Sequence, residues 1–215
     1  MATHRQLPLF PLNTVLFPRN AMPLQIIEPR YQRMLKDCLD GDRRFGVVLI
    51  KTGAEVGGRA VTHAVGTIAK IIQVNEIGEG RFFVSAQGEQ RFRLIERHDD
   101  DPYPSGEIEA IVDVPGDGDL RILAAKVHER AGEFLNLVMG LGGGWAGRRT
   151  LPDGPERLSY YVPKLLRVDL AGKQRLLEAV TTGERLSAEA ELLDTQIGEL
   201  KSRVSSELRG RFSAN

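Results

Sequence analysis

The stretch that decides the fold is LPLFPLNTVLFPRNAMPLQIIEPRYQRMLKDCL, residues 7–39. Five prolines divide this stretch, and each of them fixes its own backbone φ angle and removes an amide donor. The apolar runs between the prolines are short, so no long regular element fits before residue 29. Short apolar runs bounded by prolines predict strands and turns at the edge of a sheet.

The pattern changes at Pro29, where apolar residues begin to recur at three- and four-residue spacing. This spacing predicts a helix with proline at its first position, Gly41 just past its end, and a single apolar face. The members of that face are Tyr31, Met34, Leu35, Cys38 and Leu39. Cys38 is the only cysteine of the chain, so no internal disulfide can form. Its position predicts a buried small hydrophobe rather than a catalytic thiol.

The remainder of the first half is rich in β-branched and alternating apolar residues, which is typical of strands. The predicted strands are a buried one at 45–50, a hairpin formed by 65–77 and 81–86, and two with one polar face at 90–97 and 107–114. The sequence Pro115-Gly116-Asp117-Gly118 then marks a boundary.

Helical spacing replaces strand patterns after this boundary. Helices are predicted at 120–139, 156–168 and 173–181, and Pro163 is expected to kink or shorten the second of them. Ser187 is the expected N-cap of the last helix. Its near-heptad apolar seam consists of Leu186, Ala190, Leu193, Ile197, Leu200 and Val204. The favoured role of this seam is packing within its own helical bundle. Pairing with a second copy of the chain is the next choice, and attachment to a different partner is the third.

Several short motifs carry a family resemblance that covers about residues 7–200. They include Pro11-Leu12, Phe17-Pro18, Pro23-Leu24, Glu28-Pro29-Arg30-Tyr31, Val65-Gly66-Thr67, Gly88 and Gln90-Arg91-Phe92-Arg93-Leu94. In these residues the chain resembles the N-terminal, substrate-binding domain of Lon proteases, in the manner of a stand-alone bacterial Lon-domain protein. The residues to which we assign a structural role within these motifs are Pro11, Pro18, Pro23, Glu28, Pro29, Arg30, Tyr31, Gly66 and Gly88.

The resemblance implies an α+β fold: a PUA-like β-barrel (a pseudobarrel) with one helix, followed by an α-helical bundle with a long last helix. We accordingly expect one domain at 1–115 and a second at 116–215. Lon proteolysis also needs an ATPase module and a Ser-Lys peptidase domain. The chain contains neither the phosphate-loop string G-x-x-x-x-G-K-[S/T] nor a G-x-S-x-G elbow. We therefore expect a module that is not an enzyme and uses no cofactor.

The four histidines are isolated from cysteine and from one another, so no metal site is predicted. His98 followed by Asp99, Asp100 and Asp101 is the best candidate, but adjacent carboxylates in a turn are usually just solvated. Lys plus Arg and Asp plus Glu both number 29, and this zero net charge makes nucleic-acid binding the second choice. That alternative is RNA binding through a PUA-like barrel by Arg91, Arg93 and Arg97. The favoured interpretation of Arg91 and Arg93 is that they lie on the solvent-exposed (wet) face of a sheet.

The favoured function is recognition of unfolded or extended polypeptide segments. Leu16, Phe17 and Met22 surround proline-rich turns and are expected to form an exposed apolar contact site. Addition of an extended peptide to a sheet edge is a second mode. Trp145 lies between glycines, so it either contacts a partner or anchors its own loop.

The expected partners, beyond such segments, are a separate protease or chaperone, and a homodimer through the last helix is an alternative. No stretch reaches eighteen consecutive apolar residues and the N-terminus lacks a signal-peptide pattern, so we expect a cytoplasmic protein without membrane contact.

Overall fold

The structure is a computed structural model that describes residues 5–55, 60–78, 80–99, 102–141 and 150–212. Side chains are described as far as residue 140 in the fourth of these segments and residue 205 in the last. The strands are β1 (Arg5–Leu12), β2 (Ala21–Ile26), β3 (Arg44–Thr52), β4 (Val61–Thr62), β5 (Val65–Glu76), β6 (Phe82–His98) and β7 (Ser105–Ala110). The helices are α1 (Pro29–Asp40), α2 (Leu120–Leu141), α3 (Pro155–Tyr161), α4 (Leu170–Glu178) and α5 (Thr182–Phe212).

The chain divides into two compact units. The barrel unit comprises Met1–Val112 and Leu170–Glu178, and the helical unit comprises Asp113–Asp169 and Ala179–Asn215. The predicted α+β class is confirmed. The units differ from the expected division after residue 115, because the chain passes to the helical unit at Asp113 and α4 belongs to the barrel unit.

Five strands of the barrel unit form a ring. Their hydrogen-bonded order is β1-β7-β6-β5-β3, and a parallel pairing of β3 with β1 completes it. β4 extends the sheet from β3, while β2 pairs with the first part of β6. The long strand β6 pairs with β2 through Phe82–Gln87 and with β7 through Phe92–His98. One strand therefore links two parts of the sheet.

The prolines of β1 lie within the ring rather than at a sheet edge, contrary to the expectation from sequence. β1 pairs with β7 through its first four residues and with β3 through its last four, so each half has one unpaired side. A proline in either half can direct its missing amide toward that side. β2 is an edge strand as predicted, since it pairs with β6 among the described residues and carries an exposed Pro23.

The predicted helix at Pro29 is confirmed as α1, with proline in its first turn and the amide of Gly41 bonded to the carbonyls of Asp37 and Cys38. Four of the five predicted face residues are buried, and only Leu39 is 37% exposed. The face packs against apolar side chains from β1, β2, β3, β5 and β6. A second core cluster consists of Leu7, Leu9, Val48, Ile68, Phe92 and Ile108.

The helical unit is built around α2 and α5, with α3 against both of them. The seam predicted on α5 is used within this unit, where Leu186, Ala190, Leu193, Ile197 and Leu200 are buried. Pro163 lies in a 3-10 turn at Val162–Lys164 that ends α3, as its missing amide requires.

The expected start of the last helix at Ser187 is wrong. α5 begins at Thr182, because Thr181 and Glu184 cap it earlier. The amide of Glu184 donates to Thr181 Oγ1 (3.0 Å), and Glu184 Oε2 accepts from the amides of Val180 and Thr181 (3.0 and 3.3 Å). This reciprocal arrangement is a capping box.

Candidate functional site

An exposed apolar patch lies where β2, β6 and β5 run side by side. Phe83 of β6 sits between Gln25 of β2 and Asn75 of β5, and its side chain is 43% exposed. Ile27 (55% exposed) and Ile77 (47% exposed) follow the ends of β2 and β5. We call Ile27, Ile77 and Phe83 the outer-face patch.

Strand alternation places these three residues on the same face of the sheet. Phe83 is opposite both Gln25 and Asn75, and the patch isoleucines come two residues after these partners. Diagonal neighbours of this kind on an antiparallel sheet are roughly 7–8 Å apart, within reach of long side chains. The register therefore places Ile27 and Ile77 on either side of Phe83, each in a diagonal position.

Polar side chains lie beside the patch on the same strands. Gln25, Gln73, Ser85 and Gln87 belong to the same stretch of sheet, and the Gln73 amide donates to Asn75 Oδ1 at 3.3 Å. A register shift between Ile71 and Gln73 also leaves Ile72 exposed by 55% at this end of β5. A contiguous apolar patch with a polar rim is the surface pattern of an interaction site.

The sequence contains a signal for this patch, although none of its members is among the contact residues expected from sequence. Apolar residues occur in adjacent pairs at Ile26-Ile27, Ile71-Ile72 and Phe82-Phe83. Successive side chains of a strand point to opposite faces, so the two residues of a pair face opposite sides of the sheet. The second residue of each of these three pairs is the exposed one.

The expectation that Leu16, Phe17 and Met22 form an exposed contact site is wrong, because all three are buried. They are 3%, 3% and 8% exposed. Leu16 and Met22 belong to the main core of the barrel unit, and the hydroxyl of Thr67 donates to the Leu16 carbonyl at 2.6 Å. The apolar residues near the proline turns therefore fill the interior. Trp145 lies outside the described residues.

The motif at residues 28–31 forms a compact local structure. Arg30 Nε lies 3.1 Å from Glu28 Oε2, and the Arg30 guanidinium stands over the Tyr31 ring at 4.6 Å from its centroid. Tyr31 is buried against Phe10, with ring centroids 4.3 Å apart, and this burial raises the pKa of its hydroxyl. These contacts orient the start of α1.

Two glycines of the motifs, Gly66 and Gly88, lie where other backbone comes very close. A Cβ at Gly88 would lie 2.4 Å from the carbonyl oxygen of Phe17, and one at Gly66 would lie 2.4 Å from that of Val47. Gly88 also exchanges backbone hydrogen bonds with the turn at Arg19 and Asn20, which precedes β2. The turn containing Pro18 is thus held against β6.

The three arginines considered for RNA phosphates do not form an exposed stripe. Arg91 is only 1% exposed, and its Nη1 donates to the carbonyl of Leu177 at the end of α4 (2.7 Å). Its predicted place on a wet sheet face is therefore wrong. The side chain of Arg97 is 17% exposed and paired with Asp99 at 2.6 Å, which leaves Arg93 as the exposed member.

Cys38 and Tyr103 of the barrel unit are held in their protonated forms. Burial, and to a smaller extent Asp37, raises the pKa of the Cys38 thiol to about 11. Burial and the hydrogen bond to Asp37 Oδ2 (2.9 Å) raise the pKa of Tyr103 to about 12. The described residues contain no group of three or more His, Cys, Asp or Glu side chains that could hold a metal ion. Nor does this part of the chain include a helix long and apolar enough to cross a membrane.

Comparison with known families assigns this fold. The family model for the substrate-binding domain of ATP-dependent protease La (Lon) matches residues 6–195. The chain belongs to the Lon substrate-binding domain family. The resemblance found in the short motifs of the first half is therefore confirmed over nearly the whole chain.

Curated relatives of this Lon-domain chain are Lon proteases. A Lon protease of Anaeromyxobacter dehalogenans is 28% identical over 213 residues, which are 96% of this chain and 25% of the relative. Lon protease 2 of Myxococcus xanthus is 27% identical over 213 residues, again 96% of this chain and 26% of the relative. The chain thus spans about a quarter of the length of these relatives.

Solved structures show the same fold. A Lon N-terminal domain protein from Xanthomonas campestris matches with a TM-score of 0.63 and 24% identity, over 85% of this chain and 95% of that one. The N-terminal domain of a Mycobacterium avium complex Lon protease matches with a TM-score of 0.64 and 18% identity, over 88% and 98%. The barrel and the helices therefore follow the Lon N-terminal fold.

Proposed function

We propose that the chain is a non-catalytic recognition module for unfolded or extended polypeptide, and that the outer-face patch is its contact surface. The observation that carries the proposal is the exposure of Ile27, Ile77 and Phe83 together on one face of the sheet. The family matched by the chain is named for substrate binding, and its curated members are proteases that act on polypeptide. Both lines of support point to the same class of ligand.

The exposure of the patch sets the expected strength of binding. Full burial of a large apolar side chain stabilises by about 1.5–3 kcal/mol. A side chain that is already about half buried, such as Phe83 at 43% exposure, then has about 1 kcal/mol left to gain. That is about a fivefold change in Kd for each patch residue. Such a surface captures many sequences weakly, as a recognition module for unfolded segments must.

Side-chain contact is favoured over strand addition. β2 is the strand whose outer edge could accept an extended peptide, but Pro23 in its middle lacks an amide donor. Proline on an edge strand is a device that discourages pairing with another chain. A segment bound at the patch therefore relies on apolar side-chain contact.

The test is binding of the full chain to a dye-labelled, permanently unfolded polypeptide, followed by fluorescence anisotropy. Phe83→Thr should raise Kd about fivefold, and the triple change with Ile27→Thr and Ile77→Thr should raise it about a hundredfold. The matched control is Ile95→Thr, because Ile95 is also on β6 and is 47% exposed but lies in the part that pairs with β7. Threonine keeps the strand preference in every variant.

Equal Kd values for Phe83→Thr and the unchanged chain would refute the patch as the contact surface. Equal losses in Phe83→Thr and Ile95→Thr would refute it as well, since any exposed apolar residue of β6 would then serve. The same assay with labelled RNA separates the other class of ligand. Binding to RNA that is retained in Phe83→Thr and falls steeply with salt would replace the proposal.

A further inference from the structure

A buried polar cluster lies in the helical unit, outside the site proposed above. Its centre is Arg185 of α5, which is fully buried. Arg185 Nε donates to Ser159 Oγ (3.0 Å) and Nη2 donates to Asp113 Oδ1 (3.2 Å), while the guanidinium stands over the Tyr160 ring at 4.1 Å from its centroid. The Tyr160 hydroxyl donates to Asp113 Oδ2 at 2.5 Å. Both carboxylate oxygens of Asp113 therefore accept hydrogen bonds.

Glu189 follows Arg185 by one turn on α5 and is also fully buried. Neither of its carboxylate oxygens has a hydrogen-bond partner among the described residues. Arg185 is the one charged residue that acts on it electrostatically within this part of the chain, and it favours the ionised form. Burial acts in the opposite direction and more strongly, so the pKa of Glu189 is raised well above its ordinary value.

The described parts of α2 and α3, which pack against α5, bury no charged residue. The buried residues of α2 are Val127, Ala131 and Phe134, and those of α3 are Leu158, Ser159 and Tyr160. The charged residues of α2 that face α5 pair at its surface, where Lys126 and Arg130 contact Asp194, and Glu133 contacts Lys201. Within the described part of the chain, ionised Glu189 would therefore depend on Arg185.

The partners of the two carboxyl groups indicate where a proton resides in the cluster. Arg185 donates a hydrogen bond to Asp113 and acts on Glu189 only electrostatically. Asp113 offers the better place for the negative charge, because a guanidinium and a phenol donate to it. Glu189 is the better place for the proton, because its buried oxygens accept no hydrogen bond from the described residues and such a buried charge is costly.

We propose that Glu189 is a proton-operated switch in the helical unit: it is protonated while α5 is packed in place, and loss of the proton loosens the first turns of α5 from α3. The switch is independent of the outer-face patch, which lies in the barrel unit. It makes the helical unit more stable against unfolding at low pH and less stable at high pH. This is the reverse of the usual carboxylate, whose ionised form is the one that the folded state stabilises.

The sign and size of the effect follow from linkage. Glutamate in the unfolded chain titrates near its ordinary value of 4.5, whereas Glu189 in the folded chain titrates higher. Between these two values the folded state binds one more proton than the unfolded state. The folding equilibrium constant therefore falls by up to about tenfold per pH unit as pH rises through that window.

The experiment measures denaturant unfolding of the full chain at a series of pH values, monitored by helical circular dichroism. Glu189→Gln should remove the tenfold-per-unit decline and should be more stable than the unchanged chain at neutral pH. The matched control is Glu191→Gln, because Glu191 lies two residues later on α5 and is exposed. It should leave the pH dependence intact. Destabilisation by Glu189→Gln at neutral pH would show an ion pair with Arg185 instead, and would overturn the proposal.

A direct titration of the unchanged chain gives a second measurement that needs no variant to fold. The carboxyl carbon of Glu189 is followed by nuclear magnetic resonance in protein labelled at glutamate, and Glu189→Gln identifies its signal. A titration midpoint well above 4.5 is expected, and a midpoint at or below 4.5 would overturn the switch.

Discussion

Gly66 provides the sharpest test of how the barrel is packed. A Cβ added at this position would lie 2.4 Å from the Val47 carbonyl oxygen, 2.7 Å from Phe92 Cζ and 2.8 Å from Val48 Cγ1. The Val47 carbonyl cannot move away easily, because β3 is paired with β1 on one side and with β5 on the other. Both side chains are also buried in a second core cluster. Alanine at residue 66 therefore forces strands apart rather than moving a flexible group.

Overpacking of this kind costs about 1–3 kcal/mol, and the contact with backbone places Gly66→Ala near 3 kcal/mol. For a chain of this size, about 2–4 °C of melting temperature is lost per kcal/mol, so the barrel transition should fall by about 6–12 °C. Calorimetry measures the shift. Hydrogen exchange of β5 shows that the barrel is the part affected.

The control is Gly198→Ala in α5, where nothing lies within 4 Å of the added Cβ. Alanine in an exposed helical position should stabilise by about 0.5–1 kcal/mol, because it loses less backbone entropy than glycine. The two glycine substitutions are thus expected to have opposite signs. A melting temperature of Gly66→Ala within about 1 °C of the unchanged chain would refute the close approach of β3 and β5 at this point.

Two further predictions concern buried groups of the barrel unit. Arg91→Met removes the 2.7 Å hydrogen bond to the Leu177 carbonyl and should cost about 1.5–3 kcal/mol, with faster amide exchange in α4; unchanged protection of residues 170–178 would contradict the anchoring role. Cys38 is 4% exposed, its Sγ donates to the Arg44 carbonyl at 3.3 Å, and burial raises its pKa to about 11. It should react with thiol reagents at about pH 8 only through unfolding, so a rate equal to that of free cysteine would contradict its burial.

The amino-acid sequence alone predicts those helices and strands whose residue pattern is local. The apolar spacing after Pro29 predicted α1 and four of its buried residues, because helical periodicity alone decides which side chains share a face. The seam of α5 was predicted for the same reason. The motif resemblance supplied the barrel, which no local pattern contains, since the parallel pairing of β1 with β3 joins residues 37 positions apart.

The errors arose where distant segments decide exposure. Arg91 alternates with apolar neighbours and therefore had the pattern of a wet strand face, but α4 arrives from more than eighty residues later and buries it. Leu16 and Met22 adjoin proline turns and were expected on the surface, yet the turn is held against β6 by Gly88 and its apolar residues fill the core. Capping explains the early start of α5, because Thr181 and Glu184 outcompete Ser187 as a helix start.

The placement of α4 in the barrel unit has a consequence for the order of events during synthesis. Roughly 66 residues separate Val112, the last residue of the first barrel segment, from Glu178. At translation rates of about 5–20 residues per second, they take about 3–13 s to make. Throughout that interval Arg91 is already part of the nascent strands, whereas the Leu177 carbonyl that accepts its hydrogen bond has not been synthesised. The ribosome-bound chain must therefore pass through a period in which its earliest strands depend on a helix that does not yet exist.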